Sequence, residues 1–202
     1  MNRLLLLTVL CILSGCAMAE GTNPFIKANP DSEYEITYKE LGIGQIHDFQ
    51  FTLPSADERW VRVWMEGYRN GEKINEPLAE LSYGQSPEQN EEGHLGMGII
   101  RGGGDEAMLH VYAPGVSLIP RESPLPLNET GISTWEYAVD EEGLELELGE
   151  EVILGAYRQS TSGSIQTFDL QDNEQVKQML HDDTVVLLLK MKVGTSEEQM
   201  KE

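Results

Sequence analysis

Short segments in which every second residue is apolar follow one another along most of this chain, separated by turn-forming residues. The clearest is WVRVWMEGY at residues 60–68, where Val61 and Met65 share one face of an extended strand. Asn70-Gly71 follows at once and favours a tight hairpin, because both residues tolerate a positive φ. Alternation with a period of two is typical of strands that bury one face, so the sequence predicts mainly antiparallel sheet.

The same pattern predicts about ten short strands in all. The predicted segments are residues 33–39, 45–53, 60–68, part of 73–83, 94–100, 107–113, 135–139, 144–148, 152–159, 164–170 and 184–193. One helix is predicted at residues 172–181, because Asp172 or Asn173 can cap it and apolar residues recur at helical spacing from Val176. The predicted fold class is therefore all-β: an antiparallel β-sandwich or open barrel with one short helix near the C-terminus.

The segments between the strands predict the domain organisation. Residues 16–32 are rich in Ala, Asn, Pro and Gly and predict a flexible tether, followed by a single β-rich globular domain at residues 33–193. Residues 86–93 predict a polar loop, and residues 113–131 predict a loop because their prolines are unsuited to a central strand. Residues 194–202 predict a polar, frayed tail.

The first fifteen residues have the composition of a secretory signal peptide. A positive start at Arg3 leads into the apolar block at residues 4–13 and then into small residues. The block is about half of the roughly 20 residues that a membrane-spanning helix needs. We therefore expect a cleaved signal peptide and no permanent span.

The apolar block ends in LSGC at residues 13–16, which resembles the lipobox of bacterial lipoprotein signal peptides. The resemblance implies removal of residues 1–15 and attachment of a diacylglyceryl group, with fatty acids such as palmitate, to the thiol of Cys16. It also implies a lipid-anchored protein on the extracytoplasmic face of a bacterial cell membrane. The alternative is a plain exported thiol, since residues 17–19 offer an Ala-x-Ala cleavage site.

The chain is strongly acidic, with 14 Lys and Arg residues against 35 Asp and Glu residues and a net charge of −21. This balance argues against a nucleic-acid partner, because neutralising phosphates requires a basic patch. It equally disfavours electrostatic binding to anionic lipids, so the membrane would be reached only through the lipid anchor. Its two cysteines are Cys11 and Cys16, and loss of residues 1–15 would leave one, which permits no internal disulfide.

The sequence carries no catalytic signature. It lacks the Gly-x-Ser-x-Gly elbow of serine hydrolases. The glycines at residues 102–104 precede two acids, which would repel a phosphate, so they predict a hairpin tip. Each histidine is expected to be a surface or half-buried polar residue, because the four show no metal-ligand spacing: His47, His94, His110 and His181. We therefore predict no catalytic residue and no cofactor.

Acidic turns offer weak candidates for a calcium site. Calcium is bound by about six to eight oxygens, often from flexible loops. The candidate ligands are Asp140, Glu141, Glu142, Asp182 and Asp183.

One face of the strand at residues 60–68 carries a possible binding surface made of Trp60, Arg62, Trp64 and Tyr68. Aromatic side chains on a sheet can bind glycans or peptides, and they can equally pack against other parts of the chain. We predict a non-enzymatic binding module for a protein, peptide or envelope ligand. The alternatives are a calcium-binding acidic β-domain and an envelope hydrolase whose residues are scattered along the chain.

Overall fold

The computed structural model describes residues 23–101, 106–127 and 131–200. The predicted signal peptide, Cys16 and the glycine-rich tip at residues 102–105 lie outside these residues. Within them, two antiparallel sheets face each other across one large apolar core, and two short helices lie outside the sheets. This is the sandwich alternative of the predicted fold class.

The first sheet, called sheet A, contains seven strands within the described residues, in the order β11-β1-β2-β6-β7-β8, with β9 also on β7. Its strands are β1 (Phe25–Ala28), β2 (Gly44–Pro54), β6 (Asn90–Arg101), β7 (Ala107–Ala113), β8 (Val116–Ser117), β9 (Arg121–Glu122) and β11 (Leu144–Glu145). Strand β1 pairs only with residues 49–52 of β2, so the first half of β2 has one free edge.

The second sheet, called sheet B, contains six strands within the described residues, in the order β10-β12-β13-β3-β4, with β5 also on β3. Its strands are β3 (Trp60–Arg69), β4 (Glu72–Lys73), β5 (Ala79–Gly84), β10 (Ile132–Tyr137), β12 (Glu151–Ser160) and β13 (Val185–Gly194). The hairpin predicted at Asn70-Gly71 joins β3 to β4, and both turn residues have positive φ.

Strand β13 confirms the prediction of a central closing strand. It lies between β12 and β3, and it is buried on both faces. Leu187 and Leu189 face the core between the sheets, whereas Val186 and Leu188 face a second apolar cluster outside sheet B. Each fully buried side chain of this size contributes about 1.5–3 kcal/mol to the free energy of folding, so the side chains of β13 stabilise both apolar clusters.

Helix α2 (Asn173–Asp182) confirms the predicted C-terminal helix and covers that second cluster. Asp172 caps it by accepting hydrogen bonds from the backbone amides of residues 174 and 175. Val176 and Met179 pack on the outer face of sheet B, because residues three apart lie on one side of a helix.

The strand predicted at residues 33–39 is wrong, because helix α1 (Glu33–Leu41) occupies this segment. Ser32 caps the helix by accepting from the Glu35 amide, and Gly42 ends it in the left-handed conformation that glycine adopts easily. Tyr34 and Tyr38 fit a period of two, but they are also four residues apart and so share one helical face. That face is turned towards sheet A.

Three other predicted boundaries are wrong. The tether predicted at residues 16–32 includes strand β1, whose Ile26 is buried in the core, so this part is a strand of sheet A. The loop predicted at residues 86–93 ends early, because β6 begins at Asn90 to match the full length of β2. The loop predicted at residues 113–131 contains β8 and β9, two-residue strands that pair with β7.

Two predictions near the C-terminus are also wrong. Residues 164–170 form no strand; they cross outside sheet B, where Phe168 and Leu170 pack on the second cluster. The predicted frayed tail is ordered as far as residue 200, where the Met200 side chain is buried and its carbonyl accepts a hydrogen bond from Arg62. The buried Met200 side chain and this hydrogen bond together hold the segment against sheet B.

Candidate functional site

The predicted binding surface on β3 is largely covered by the protein itself. The Trp64 side chain is only 2% exposed, and the guanidinium of Arg62 lies 4.6 Å from its ring centroid. Arg62 is in turn held by the Met200 carbonyl and by the Glu80 carboxylate, each at 2.9 Å. The structure thus gives Arg62 and Trp64 a packing role instead of a free surface for a partner.

Tyr68, on the same face, belongs to a polar network centred on the buried carboxylate of Glu66. That carboxylate accepts hydrogen bonds from the Tyr68 hydroxyl and Lys73 at 2.8 Å and from the Trp64 indole at 3.2 Å. Burial alone would raise the pKa of Glu66, but these bonds and the Lys190 ammonium lower the pKa to about 2. The Glu66 carboxylate and the Tyr68 hydroxyl are therefore paired with each other and with neighbouring side chains of the chain. Trp60, half-buried, lies over Gly84.

The predicted calcium ligands are not brought together as a cluster. Asp140 accepts a hydrogen bond from the Gly143 amide within its own turn. Asp183 is buried and paired with the guanidinium of Arg158 at 2.7 Å, while Asp182, Glu141 and Glu142 are exposed. In the part of the chain that the structure describes, no group of three or more His, Cys, Asp or Glu side chains is placed to hold a metal ion.

The strongest candidate site is a cavity of about 590 Å³ between helix α1 and the outer face of sheet A. We call it the histidine–tyrosine pocket, and its walls include Tyr34, Tyr38, His94, His110, Tyr112 and Ser117. The histidines and Tyr112 stand on β6 and β7 at positions whose neighbours, such as Leu95 and Val111, face the core. Strand alternation therefore turns them away from the core and towards α1.

The polar centre beneath this pocket is Asp48, whose side chain is fully buried. Its carboxylate accepts hydrogen bonds from Asn29 and the Tyr112 hydroxyl at 2.7 Å and contacts Nδ1 of His94 at 2.8 Å. A buried carboxylate is costly unless such partners replace water. This contact turns Nδ1 of His94 towards the buried carboxylate.

His94 is held from two further sides. The ring of Tyr34 lies over it, with ring centroids 4.4 Å apart and a tilt of 31°. The Gln50 amide nitrogen is 3.4 Å from Nε2 of His94. The imidazole is thus fixed in one orientation, and its side chain remains 32% exposed at the pocket wall.

The second histidine, His110, joins β7 to both α1 and β8. Its Nδ1 lies 3.3 Å from the Tyr38 hydroxyl, and its Nε2 lies 2.8 Å from Oγ of Ser117. Burial lowers the pKa of His110 and raises the pKa of Tyr38, so both groups are neutral near pH 7. A neutral imidazole beside a serine hydroxyl can accept a proton or bind a hydroxyl-bearing ligand.

Gly96 on β6 makes room for Tyr112 of the pocket. A Cβ at Gly96 would come within 2.5 Å of the Tyr112 hydroxyl and 2.0 Å of the His47 carbonyl. The space at Gly96 therefore lets Tyr112 lie flat across the sheet and reach Asp48.

This pocket was not predicted from the sequence. His94 and His110 were expected to be separate polar residues, and Tyr34 and Tyr38 were assigned to a strand. A signal was present: His94, His110 and Tyr112 occupy the outward positions of two strands predicted to pair. Helix α1, which forms the opposite wall of the pocket, was not predicted.

A comparison with known protein families, curated proteins and solved structures finds no match to this chain. Neither described helix has the length and apolar character needed to cross a bilayer.

Proposed function

We propose that this chain is a lipid-anchored binding module on the extracytoplasmic face of a bacterial cell membrane, with its ligand in the histidine–tyrosine pocket. The lipobox-like residues 13–16 support the anchor and the location. The observation that carries the binding site is the buried Asp48 carboxylate, which fixes His94 at the wall of a cavity. Binding sites need such side chains held in one geometry before the ligand arrives.

The walls of the pocket fit a small polar ligand with one flat apolar face, such as a sugar ring of an envelope glycan. Tyr34 and Tyr112 have their ring centroids 5.8 Å apart in an edge-to-face arrangement, and Tyr34 remains partly exposed. Flat rings of this kind bind the apolar face of a ligand. His110, Ser117 and the Glu92 carboxylate offer acceptors and donors for its hydroxyl groups.

The anchor is tested by labelling growing cells with an alkyne analogue of palmitate. We expect the native chain to carry the label and to sediment with membranes, and Cys16→Ser to abolish both. Cys11→Ser is the matched control, because it changes the only other cysteine and should leave labelling intact. An unlabelled native chain, or a labelled Cys16→Ser chain, would contradict the lipoprotein assignment.

The pocket is tested with the purified full-length chain and a panel of sugars that includes N-acetylglucosamine, using calorimetry or NMR titration. Tyr34→Ala should weaken binding by about tenfold, because it removes a ring that the ligand covers, whereas Tyr34→Phe should retain most of the affinity. Leu148→Ala, an exposed apolar position outside the pocket, serves as the control. Saturable binding that is equally tight in Tyr34→Ala would contradict this site.

A second candidate function is acyl-ester hydrolysis, favoured by one contact. Ser117 Oγ lies within hydrogen-bond distance of His110 Nε2, as a nucleophile lies beside its base. However, the buried carboxylate that would orient such a base contacts His94 instead. A fluorophosphonate probe tests the point: labelling lost in both Ser117→Ala and His110→Gln would establish a serine nucleophile, and an unlabelled native chain would exclude it.

A further inference from the structure

A second cavity lies on the other side of helix α1, at the free edge of β2. It has a volume of about 600 Å³ and is enclosed by α1, residues 44–47 of β2, and strand β10 of sheet B. Strand β1 stops short of this part of β2, so sheet A is open here and faces Trp135 and Tyr137. We call this cavity the mouth cleft.

The floor of the mouth cleft is a rigid set of aromatic rings. The His47 ring is 4.8 Å from the Trp135 ring in an edge-to-face contact and 4.1 Å from the Tyr137 ring, centroid to centroid. Trp135 is fixed further by its indole nitrogen, which donates to the Gln45 side chain at 2.7 Å. Tyr137 is fixed by its hydroxyl, which donates to Glu35 on α1. The floor is therefore preorganised.

One ring nitrogen of His47 makes no hydrogen bond within the described residues. The residue is 3% exposed and lines the cleft, and its Nδ1 is buried with no hydrogen-bond partner among the described residues. This atom lies beside Gly155 of β12, where a Cβ would be 3.0 Å from it, and buried polar atoms are nearly always paired, so His47 has one hydrogen-bonding position left for an ordered solvent molecule or a ligand. Burial lowers the pKa of His47 to about 3, so the ring is neutral and can accept a hydrogen bond.

The rim of the cleft is anionic. Asp31, Glu35 and Glu40 line it against one cation, Lys39. The chain as a whole carries a net charge of −21, so its field draws cations to the surface. Carboxylates above an aromatic floor form a site for an organic cation, because both the charges and the ring faces attract it.

We propose that the mouth cleft binds a primary alkylammonium ligand. The ammonium group would lie between the rim carboxylates and the aromatic floor, with the alkyl chain against Ile36 and Ile46. No three acidic, histidine or cysteine side chains of the described residues are placed to hold a metal ion together, and the aromatic and aliphatic walls add no metal ligand, so the lining suits an organic cation. The site is separate from the histidine–tyrosine pocket and does not depend on the proposed function.

The experiment uses 1,5-diaminopentane as the probe and pentane-1,5-diol, which has the same chain without charge, as the matched control ligand. Binding to the purified full-length chain is followed by calorimetry and by tryptophan fluorescence. We expect the diamine to bind saturably, the diol to bind at least about tenfold more weakly, and added salt to weaken diamine binding. Equal binding of diol and diamine, or no saturable diamine binding, would overturn the proposal.

Two substitutions test whether the diamine binds in the mouth cleft. Glu40→Gln on the rim and Trp135→Ala on the floor should each weaken diamine binding about three- to tenfold. Glu40→Gln is the informative variant if Trp135→Ala fails to fold, because Glu40 is exposed on α1. Glu122→Gln, which removes an exposed carboxylate on β9 outside both cavities, is the matched control and should leave diamine affinity unchanged. An equal loss of diamine binding in Glu122→Gln, or no loss in Glu40→Gln, would refute the mouth cleft as the site.

Discussion

At the scale of single residues, Asp48 connects the fold to the candidate site. It holds Asn29 after β1, His94 on β6 and Tyr112 on β7 through one carboxylate. Hydrogen bonds to an ionised group are roughly twice as strong as neutral ones, and the surrounding protein excludes the water that would compete. The same side chain thus ties three segments together and orients the imidazole that lines the pocket.

We expect Asp48→Asn to lower the free energy of unfolding by about 1–3 kcal/mol, because the amide cannot accept from all three partners and leaves at least one buried donor unpaired. Urea denaturation at pH 7 measures the change. Asp57→Asn, an exposed position in the short turn before β3, is the control and should change it by less than about 0.5 kcal/mol. Equal effects of the two substitutions would contradict a structural role for the Asp48 charge.

His47 predicts how stability depends on pH. Its pKa falls from 6.5 to about 3 on folding because of burial, so between these values the unfolded chain binds one proton more than the folded chain. Stability is therefore full above pH 6.5 and decreases as the pH falls towards 3, by up to about 1.4 kcal/mol per pH unit. Burial also lowers the pKa of His110, which acts in the same direction.

The measurement is the free energy of unfolding in urea at pH 7, 6 and 5 for the native chain and for His47→Phe. We expect the loss between pH 7 and 5 to be smaller in His47→Phe, since only the native chain protonates this residue on unfolding. Gln178→Ala, at an exposed position of α2 that carries no titratable group, should keep the native pH dependence. This range lies above pH 4.5, where the stabilising contribution of Glu66 begins to fall, because the pKa of Glu66 drops from 4.5 to about 2 on folding.

At the scale of elements, helix α1 forms one wall of both cavities. None of its own residues is buried. It is held by its caps and by contacts from its side chains to Tyr137, His94 and His110. An isolated helix of nine residues is marginal in water, so these contacts maintain it. It should open more readily than the strands beneath it.

We expect Ser32→Ala to destabilise α1 locally by about 1 kcal/mol, because the Ser32 hydroxyl caps the helix through the Glu35 amide. Hydrogen exchange read by mass spectrometry should rise in residues 33–41 and stay unchanged in β13. Ser82→Ala, on an exposed position of β5, is the matched control. Faster exchange throughout the chain would instead indicate global destabilisation and contradict a local role.

At the scale of the whole molecule, β13 joins the two apolar clusters. Its side chains reach the core between the sheets on one face and the cluster under α2 on the other. The two clusters share this strand, so loss of packing on either face weakens the support of the other. We therefore expect the described domain to unfold as one cooperative unit.

Leu187→Ala should lower the free energy of unfolding by about 2–5 kcal/mol, because it leaves a cavity in the main core where the leucine is fully buried. Leu41→Ala, at the exposed end of α1, removes the same atoms from a position that is 65% exposed and should have little effect. Urea unfolding followed by fluorescence and by circular dichroism measures both. Transitions that differ between the two probes would contradict a single cooperative unit.

Local sequence patterns predicted the secondary structure correctly where the pattern fits only one type of element. Asn70-Gly71, the alternation of residues 60–68 and the capped amphipathic helix at residues 172–181 were predicted correctly. Residues 33–39 were predicted wrongly, because Tyr34, Ile36 and Tyr38 fit both a strand and a helical face. The choice depended on Ser32, Gly42 and the outer face of sheet A.

The sequence by itself determined that this chain forms a two-faced antiparallel β structure and that it carries a net charge of −21, because alternation and net charge are properties of residue order and composition. Tertiary structure alone decided which polar residues meet. Asp48 and His94 are 46 residues apart, and Tyr38 and His110 are 72 apart, so only strand register and the packing of α1 bring them together. Tertiary structure equally turned Trp64 from a predicted ligand contact into a buried support, since Arg62 and Met200 close over that face.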